Sequence, residues 1–225
     1  MPAGGIEQNV KFAYPAWVES SKVGMDKMKV HMNKDEKVNL QYASKYASVA
    51  NYWKNRQGMI DALTKFKTAA TKAKSEAEFN TWANKAENKA KYGNVIATLN
   101  NFYAKTNEKS RHDNYLVGML RTSAFAALPY SLGKSFEYYG QQNDAKKAEL
   151  LPELQAQIEE TYKEIYVPIE KDVLVAQLAL YASKSTGYEI APFVAELAKT
   201  NNGDFTKYVN EAFETSIFTS KEKLE

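Results

Sequence analysis

Apolar residues along this chain recur at helical rather than alternating spacing. Trp17, Val18, Val23, Met25 and Met28 follow Pro15. A proline suits a first helical turn, where its missing N–H has no intrahelical partner anyway. Asn33-Lys34-Asp35 interrupts the pattern, and Asp35 is placed to cap whatever follows. From residue 35 to Gly58 there is neither Pro nor Gly, so this stretch predicts the longest helix. Met59, Ile60, Leu63 and Phe66 either continue it or begin another. Residues 77–91 carry Phe79, Trp82 and Ala86, and residues 94–109 carry Ile96, Leu99, Phe102 and Tyr103. Residues 115–128 are more apolar and should end before Pro129, which cannot donate to a helix ladder. Stretches at 151–166, 169–183, 190–199 and 205–218 complete the set, the last three punctuated by Gly187, Pro192 and Asn201-Asn202-Gly203. No strand-like alternation, fixed-period repeat or low-complexity linker interrupts the series. The fold class is therefore all-α, a multi-helix, bundle-like domain.

Composition narrows what such a domain can do. In 225 residues, 44% are hydrophobic and 25% charged, enough for one substantial core or two small ones. No apolar run approaches the length that spans a bilayer. The net charge is +3, and of 30 basic residues only Arg56, Arg111 and Arg121 are arginine. Bidentate reading of phosphates or guanine edges favours arginine, so a nucleic-acid partner is not expected. With no cysteine, disulfides, zinc–thiolate sites and thiol catalysis are excluded. Met1-Pro2-Ala3-Gly4-Gly5 is neither basic nor followed by an apolar core, so it is no signal peptide. It reads as a cloning leader, and Leu224-Glu225 as a vector remnant, leaving residues 6–223 as the helical domain.

The chain holds few parts for catalysis. His31 and His112 are its only histidines, and neither falls in a His-Glu-x-x-His or helical di-iron pattern. A solvated or capping role is the expected one for each. No Gly-rich phosphate loop and no Gly-x-Ser-x-Gly elbow is present, and neither a metal nor another cofactor is expected. Glu159, Glu160 and Glu164 can hold a cation, but with Lys163 among them they read as a solvated helix face. Tyr138 and Tyr139, or Tyr162 and Tyr166, either line a groove or fill space between helix axes.

One stretch departs from the charged surface found elsewhere. On residues 38–55, Val38, Tyr42, Val49 and Trp53 share one face, and Leu40, Ala43, Ala47 and Ala50 another. Between them run Ser44, Ser48, Asn51 and Asn55. A helix face this neutral suits a half-buried surface offering hydrogen-bond acceptors without charge, such as an Asn oxygen facing an ammonium group. The same residues can equally bond neighbouring helices or backbone carbonyls.

The run Tyr-Ala-Ser-Lys-Tyr-Ala-Ser-Val-Ala-Asn-Tyr-Trp-Lys-Asn-Arg-Gln-Gly, residues 42–58, resembles the helical-domain signature of bacterial dipeptidyl-peptidases 7 and 11. Tyr14-Pro15-Ala16-Trp17-Val18 and Gly24-Met25-Asp26 resemble the segment leading into that domain, and the likeness extends over residues 6–223. The resemblance implies a periplasmic or cell-surface serine exopeptidase as the parent. In that family a helical domain is inserted in a chymotrypsin-like double β-barrel, whose Ser-His-Asp triad releases dipeptides from peptide N-termini. It implies that Asn51, with Ser48 and Asn55 beside it, helps hold the substrate's free amino group. The partners it implies are a catalytic barrel on the same polypeptide, a peptide substrate and, for the parent, a second copy in a homodimer. The barrel itself is missing, no residue here is assignable to the triad, and the chain alone should be inactive. The competing reading is a free-standing helical binding or scaffold domain with no peptidase parent.

Overall fold

The computed structural model describes residues 5–65, 68–184 and 190–224. Residues 1–4 of the five-residue leader, Phe66, Gly187 and the terminal Glu225 lie outside the described residues. The chain enters through α1 (Ile6–Gln8) and a π-helical turn (Asn9–Ala13), then forms α2 (Tyr14–Met32) and α3 (Glu36–Lys65). There follow α4 (Thr68–Ala83), α5 (Ala86–Tyr92), α6 (Val95–Thr122) and α7 (Ala124–Gly140). The series closes with α8 (Asp144–Lys163), α9 (Val167–Lys184), α10 (Pro192–Thr200), α11 (Thr206–Thr215) and two short 3₁₀ turns. No strand occurs among the described residues.

Sequence signals account for several boundaries. Pro15 falls in the first turn of α2, but the expected helix start there is not observed, because α1, the π-helical turn and α2 form one continuous helical run from Ile6 to Met32. The Asp35 carboxylate accepts from the backbone N–H groups of Lys37 at 2.8 Å and Val38 at 3.4 Å, which starts α3. α3 then runs unbroken past Gly58 to Lys65, so Met59, Ile60 and Leu63 continue it.

The expected stop before Pro129 is not observed. The break falls instead at Ser123, whose hydroxyl caps α7 by accepting from Ala126 N at 3.1 Å. Pro129 lies inside α7 as its sixth residue, where it removes one ladder donor, the one that would reach the Phe125 carbonyl, and the helix continues past it. Residues 110–114, polar enough to read as a gap, are helical and join two expected stretches into the 28-residue α6.

Two apolar clusters hold these helices together. One gathers Tyr115, Phe125, Leu128, Leu132, Leu174, Leu178, Phe205 and Phe213 from α6, α7, α9 and the C-terminal helices. The other gathers Met25, Met28, Val38, Tyr42, Val49, Ile169 and Val173 from α2, α3 and α9. Because α9 contributes to both, it is buried on more than one side, and even Glu170 and Gln177 on it are inaccessible. α2 and α6 approach closely through glycines. A methyl group added at Gly118 would fall 2.3 Å from Ser20 Oγ, and one at Gly24 would fall 1.9 Å from Thr122 Cγ2. α4, α5 and the first half of α6 extend from this body, with Ala83 as the only buried residue among the described positions of α4 and α5. Trp82 links that extension internally by packing on Phe79 and Tyr92.

Candidate functional site: the outward face of the longest helix

α3 is fixed along one side. Val38, Tyr42 and Val49 bury their side chains against α2 and α9, with Tyr46 and Trp53 half-buried beside them. Polar ties then set the helix's rotation. The Gln41 amide donates to the carbonyls of Lys163 at 2.8 Å and Ile165 at 3.3 Å. The Tyr42 hydroxyl donates to Glu170 Oε1 at 2.9 Å and accepts from the Tyr166 N–H at 2.9 Å. Lys45 Nζ reaches the same Glu170 oxygen at 3.2 Å. Burial, and after it the negative Glu170, push the Tyr42 phenol far above its ordinary range, so it stays a donor.

Glu170 is fully buried and joins three helices. Its second oxygen accepts from Ser123 Oγ at 3.2 Å and from Phe125 N at 3.1 Å. A carboxylate is thereby placed at the N-terminus of α7, where free N–H groups and the helix dipole favour negative charge. It also draws the one lysine of residues 40–53 inward, leaving that length of the opposite side uncharged.

The opposite side is open. Leu40 is 73% exposed, and Ala43, Ser44, Ala47, Ser48, Asn51 and Asn55 are exposed as well. Ser48, Asn51 and Asn55 follow one another at axial steps of about 4.5 and 6 Å. None of Ser44, Ser48, Asn51 and Asn55 has a side-chain hydrogen-bond partner among the described residues. Among the described residues no other element crosses the stripe, so the half-buried setting read from composition is not present there. The alternative, that these groups bond neighbouring helices or carbonyls, is not what the geometry offers either. An exposed Asn with both its oxygen and its amide uncommitted can meet an incoming ligand without breaking an existing bond.

Other residues singled out by sequence are used structurally. His112 is buried rather than solvated, with Nε2 at 2.6 Å from Tyr181 Oη and Nδ1 at 3.1 Å from Asp113. His31 lies 2.8 Å from the Asp172 carboxylate. Tyr138 and Tyr139 line a shallow cavity of about 160 Å³ between α7 and α8, whereas Tyr162 and Tyr166 pack against the two cores. Glu159 pairs with Lys221 and Glu160 with Lys163, and Glu164 is exposed at the C-cap of α8, so these acids form a solvated face. Among the described residues no three metal-ligating side chains converge. A larger cavity, about 750 Å³ and lined by Ile6, Val10, Ile96, Leu99 and Tyr103 among others, contains none of the candidate site residues Ser48, Asn51 and Asn55.

Two features escaped the sequence. Glu170 reads as an ordinary first-turn acid, and its partners Tyr42, Lys45, Ser123 and Phe125 are 45 or more positions away. Arg56 and Arg121, noted only for their rarity, meet at the Trp17 and Tyr52 rings.

Comparison with known proteins gives this face a context. The family model described as Peptidase S46 matches residues 2–225. Dipeptidyl-peptidase 7 of Capnocytophaga gingivalis is 46% identical over 221 residues, which are 98% of this chain and 31% of the relative. The Asp/Glu-specific dipeptidyl-peptidase of the same organism is 26% identical over 235 residues, 100% of this chain and 31% of the relative. Among solved structures, Porphyromonas endodontalis DPP11 in complex with the dipeptide Arg-Glu matches with a TM-score of 0.72 at 22% identity. That match covers 97% of this chain and 31% of the other, and at such identity it is a likeness of fold. The chain thus spans about a third of the length of these relatives.

Proposed function

The chain belongs to the peptidase S46 family, and from that membership we propose that it is the helical cap of a serine dipeptidyl-peptidase. Membership sets aside a helical scaffold with no peptidase parent. In this reading the remaining two-thirds of a longer, periplasmic or cell-surface polypeptide supplies nucleophile, base and oxyanion hole. The cap covers the cleft and holds the substrate's amino end through Asn51, with Ser48 and Asn55 alongside. Two extended residues span about 7 Å, so an acceptor held at that distance from the scissile carbonyl selects release of dipeptides. A protonated amine needs more than one acceptor, so the catalytic part contributes others.

The observation that carries this reading is the outward face of α3. Between residues 40 and 53 it is neutral and exposed, and its Ser44, Ser48 and Asn51 have no hydrogen-bond partners among the described residues, on a helix whose other side is tied down at Gln41, Tyr42 and Lys45. Replacing Asn51 by Ala in the longer polypeptide tests it. Loss of an amine-orienting contact should lower kcat/KM for dipeptide release by roughly a hundredfold, about 2.7 kcal/mol of transition-state stabilisation. Helical content and Tm should stay the same, since Asn51 has no partner to strand. Ser44→Ala, further up the stripe, should matter much less. Undiminished cleavage by Asn51→Ala would remove Asn51 from the site.

A further inference from the structure

Arg56 and Arg121 project from different helices onto the same two rings. The guanidinium carbon of Arg56 lies 4.9 Å from the Trp17 centroid, 5.0 Å from that of Tyr52 and 5.3 Å from that of Tyr14. The corresponding carbon of Arg121 lies 5.6 Å from Trp17 and 5.2 Å from Tyr52. Arg121 Nη1 also donates to Tyr52 Oη at 2.9 Å. Two of the chain's three arginines are thus positioned as neighbours across one pair of side chains.

Their charges are unanswered. Neither guanidinium has a carboxylate within ion-pair distance among the described residues, whereas Arg111 pairs with Glu108 at 3.0 Å. Arg56 Nη1 has only the Met59 sulfur, a weak acceptor, at 3.3 Å. Arg56 Nε and the neighbouring Trp17 Nε1 are both buried without a hydrogen-bond partner. Aromatic faces offset part of a cation's desolvation, but they accept few hydrogen bonds and do not neutralise it. Arg56 is half-buried while Arg121 is exposed, so the pair presents its donors at the surface, where an anion offsets their mutual repulsion and the planar fork of arginine matches a carboxylate best.

We propose that Arg56 and Arg121, beside the Trp17 indole, form a carboxylate-binding site whose anion is not supplied by the side chains of the described residues. The proposal is independent of the role given to Asn51. Two sources present that chemistry: an acidic group on a peptide ligand, and an Asp or Glu elsewhere on the longer polypeptide. The plainer alternative is a cation–π staple joining α2, α3 and α6, which needs no anion and should not respond to one.

Three arginines make the test tractable by nuclear magnetic resonance of their Nε–H groups, assigned with Arg→Lys variants. The 225-residue chain is titrated with sodium succinate, and with sodium chloride at matched ionic strength. The expected result is a saturable shift of the Arg56 and Arg121 signals and of the Trp17 indole N–H, with Arg111 unmoved and chloride without effect. Arg121→Lys, which keeps the charge and removes the fork, should weaken succinate binding at least tenfold. Circular dichroism of Arg121→Lys reports whether the fold is intact, and Arg56→Lys provides a second variant.

Equal, non-saturating movement of all three arginines, or none, would overturn the site and leave the staple. Repeating the titration on the longer polypeptide separates the sources. A retained response assigns the site to a peptide ligand's carboxylate. A response present in the 225-residue chain but lost in the longer polypeptide assigns it to an internal acid.

Discussion

Glu170→Ala should be among the most destabilising single substitutions in this chain, and the structure allows its cost to be worked out. The carboxylate is inaccessible and receives four hydrogen bonds, from Tyr42 Oη, Lys45 Nζ, Ser123 Oγ and Phe125 N. Without it, Lys45 is exposed enough to turn toward water. Tyr42, Ser123 and Phe125 are buried and cannot. Each stranded buried donor costs about 1–3 kcal/mol, less whatever the buried charge itself had cost. The balance is about 4 kcal/mol, within the range for breaking a buried charged pair.

For a chain of this size that loss lowers Tm by about 8–16 °C. In urea, followed by far-ultraviolet circular dichroism, the midpoint should fall by about 2 M with little change in slope. Glu170→Gln keeps the shape but sets an amide N–H₂ among donors, and should cost about half as much. Tyr42→Phe should cost about 1 kcal/mol less in the Glu170→Ala background than in the parent, because the two share one bond. Glu160→Ala, whose carboxylate is exposed and paired only with Lys163, serves as the control and should change stability by less than about 0.5 kcal/mol. A cost for Glu170→Ala below about 1 kcal/mol, or no larger than the control's, would refute this account.

Alkaline pH should unfold the domain from about pH 10 upward. Burial is the largest cause raising the phenols of Tyr42, Tyr115 and Tyr162, the last to about 12, from an ordinary value of 10.0. A raised folded pKa means that the unfolded state loses its proton first, so stability falls between the unfolded and folded values, and urea midpoints at pH 9, 10 and 11 check this. Gly24→Ala should lose about 1–3 kcal/mol through the clash with Thr122 Cγ2, and Thr122→Ser, which removes that methyl and keeps the hydroxyl bonded to the Gly118 carbonyl, should restore much of it. The 225-residue chain should release no dipeptide from chromogenic dipeptidyl substrates. Turnover that survives stringent purification would contradict the cap reading.

Periodicity revealed which residues are helical more reliably than what covers each helix. Val38, Tyr42 and Val49 were legible as an inward face because their spacing matches one side of a helix and their partners lie within the chain. Leu40, Ala43, Ala47 and Ala50 also share one helix face, yet the first three are exposed and only Ala50 packs on the core. Apolar character shows that a face can be covered, not that this chain covers it. The helix boundary at Ser123 was hidden for a different reason. Pro129 is a strong local signal, but the N-terminus of α7 is set by Ser123 together with Glu170, which is 47 positions from Ser123. Likewise Ser110-Arg111-His112-Asp113-Asn114 reads as a polar break until Tyr181, far along the chain, accounts for the buried imidazole.

The two faces of α3 are linked by charge. A neutral outer surface on a lysine-rich chain requires that Lys45 go elsewhere, and the buried Glu170 gives it a place. That carboxylate is tolerable only because Tyr42, Ser123 and the start of α7 supply further donors. The network therefore fixes α3 near residues 42–45, while Tyr52 and Arg56 hold its next turns against Trp17. Asn51 lies between these anchors, pointing away from both. A side chain held on a helix fixed at two places has little freedom to drift, and positional error is what an orienting group can least tolerate. If Asn51 has the proposed role, the rigidity comes from the buried face and the contact with substrate from the exposed one. Variants of the first should weaken function in proportion to how far they loosen the helix, and variants of the second should do so with the fold intact.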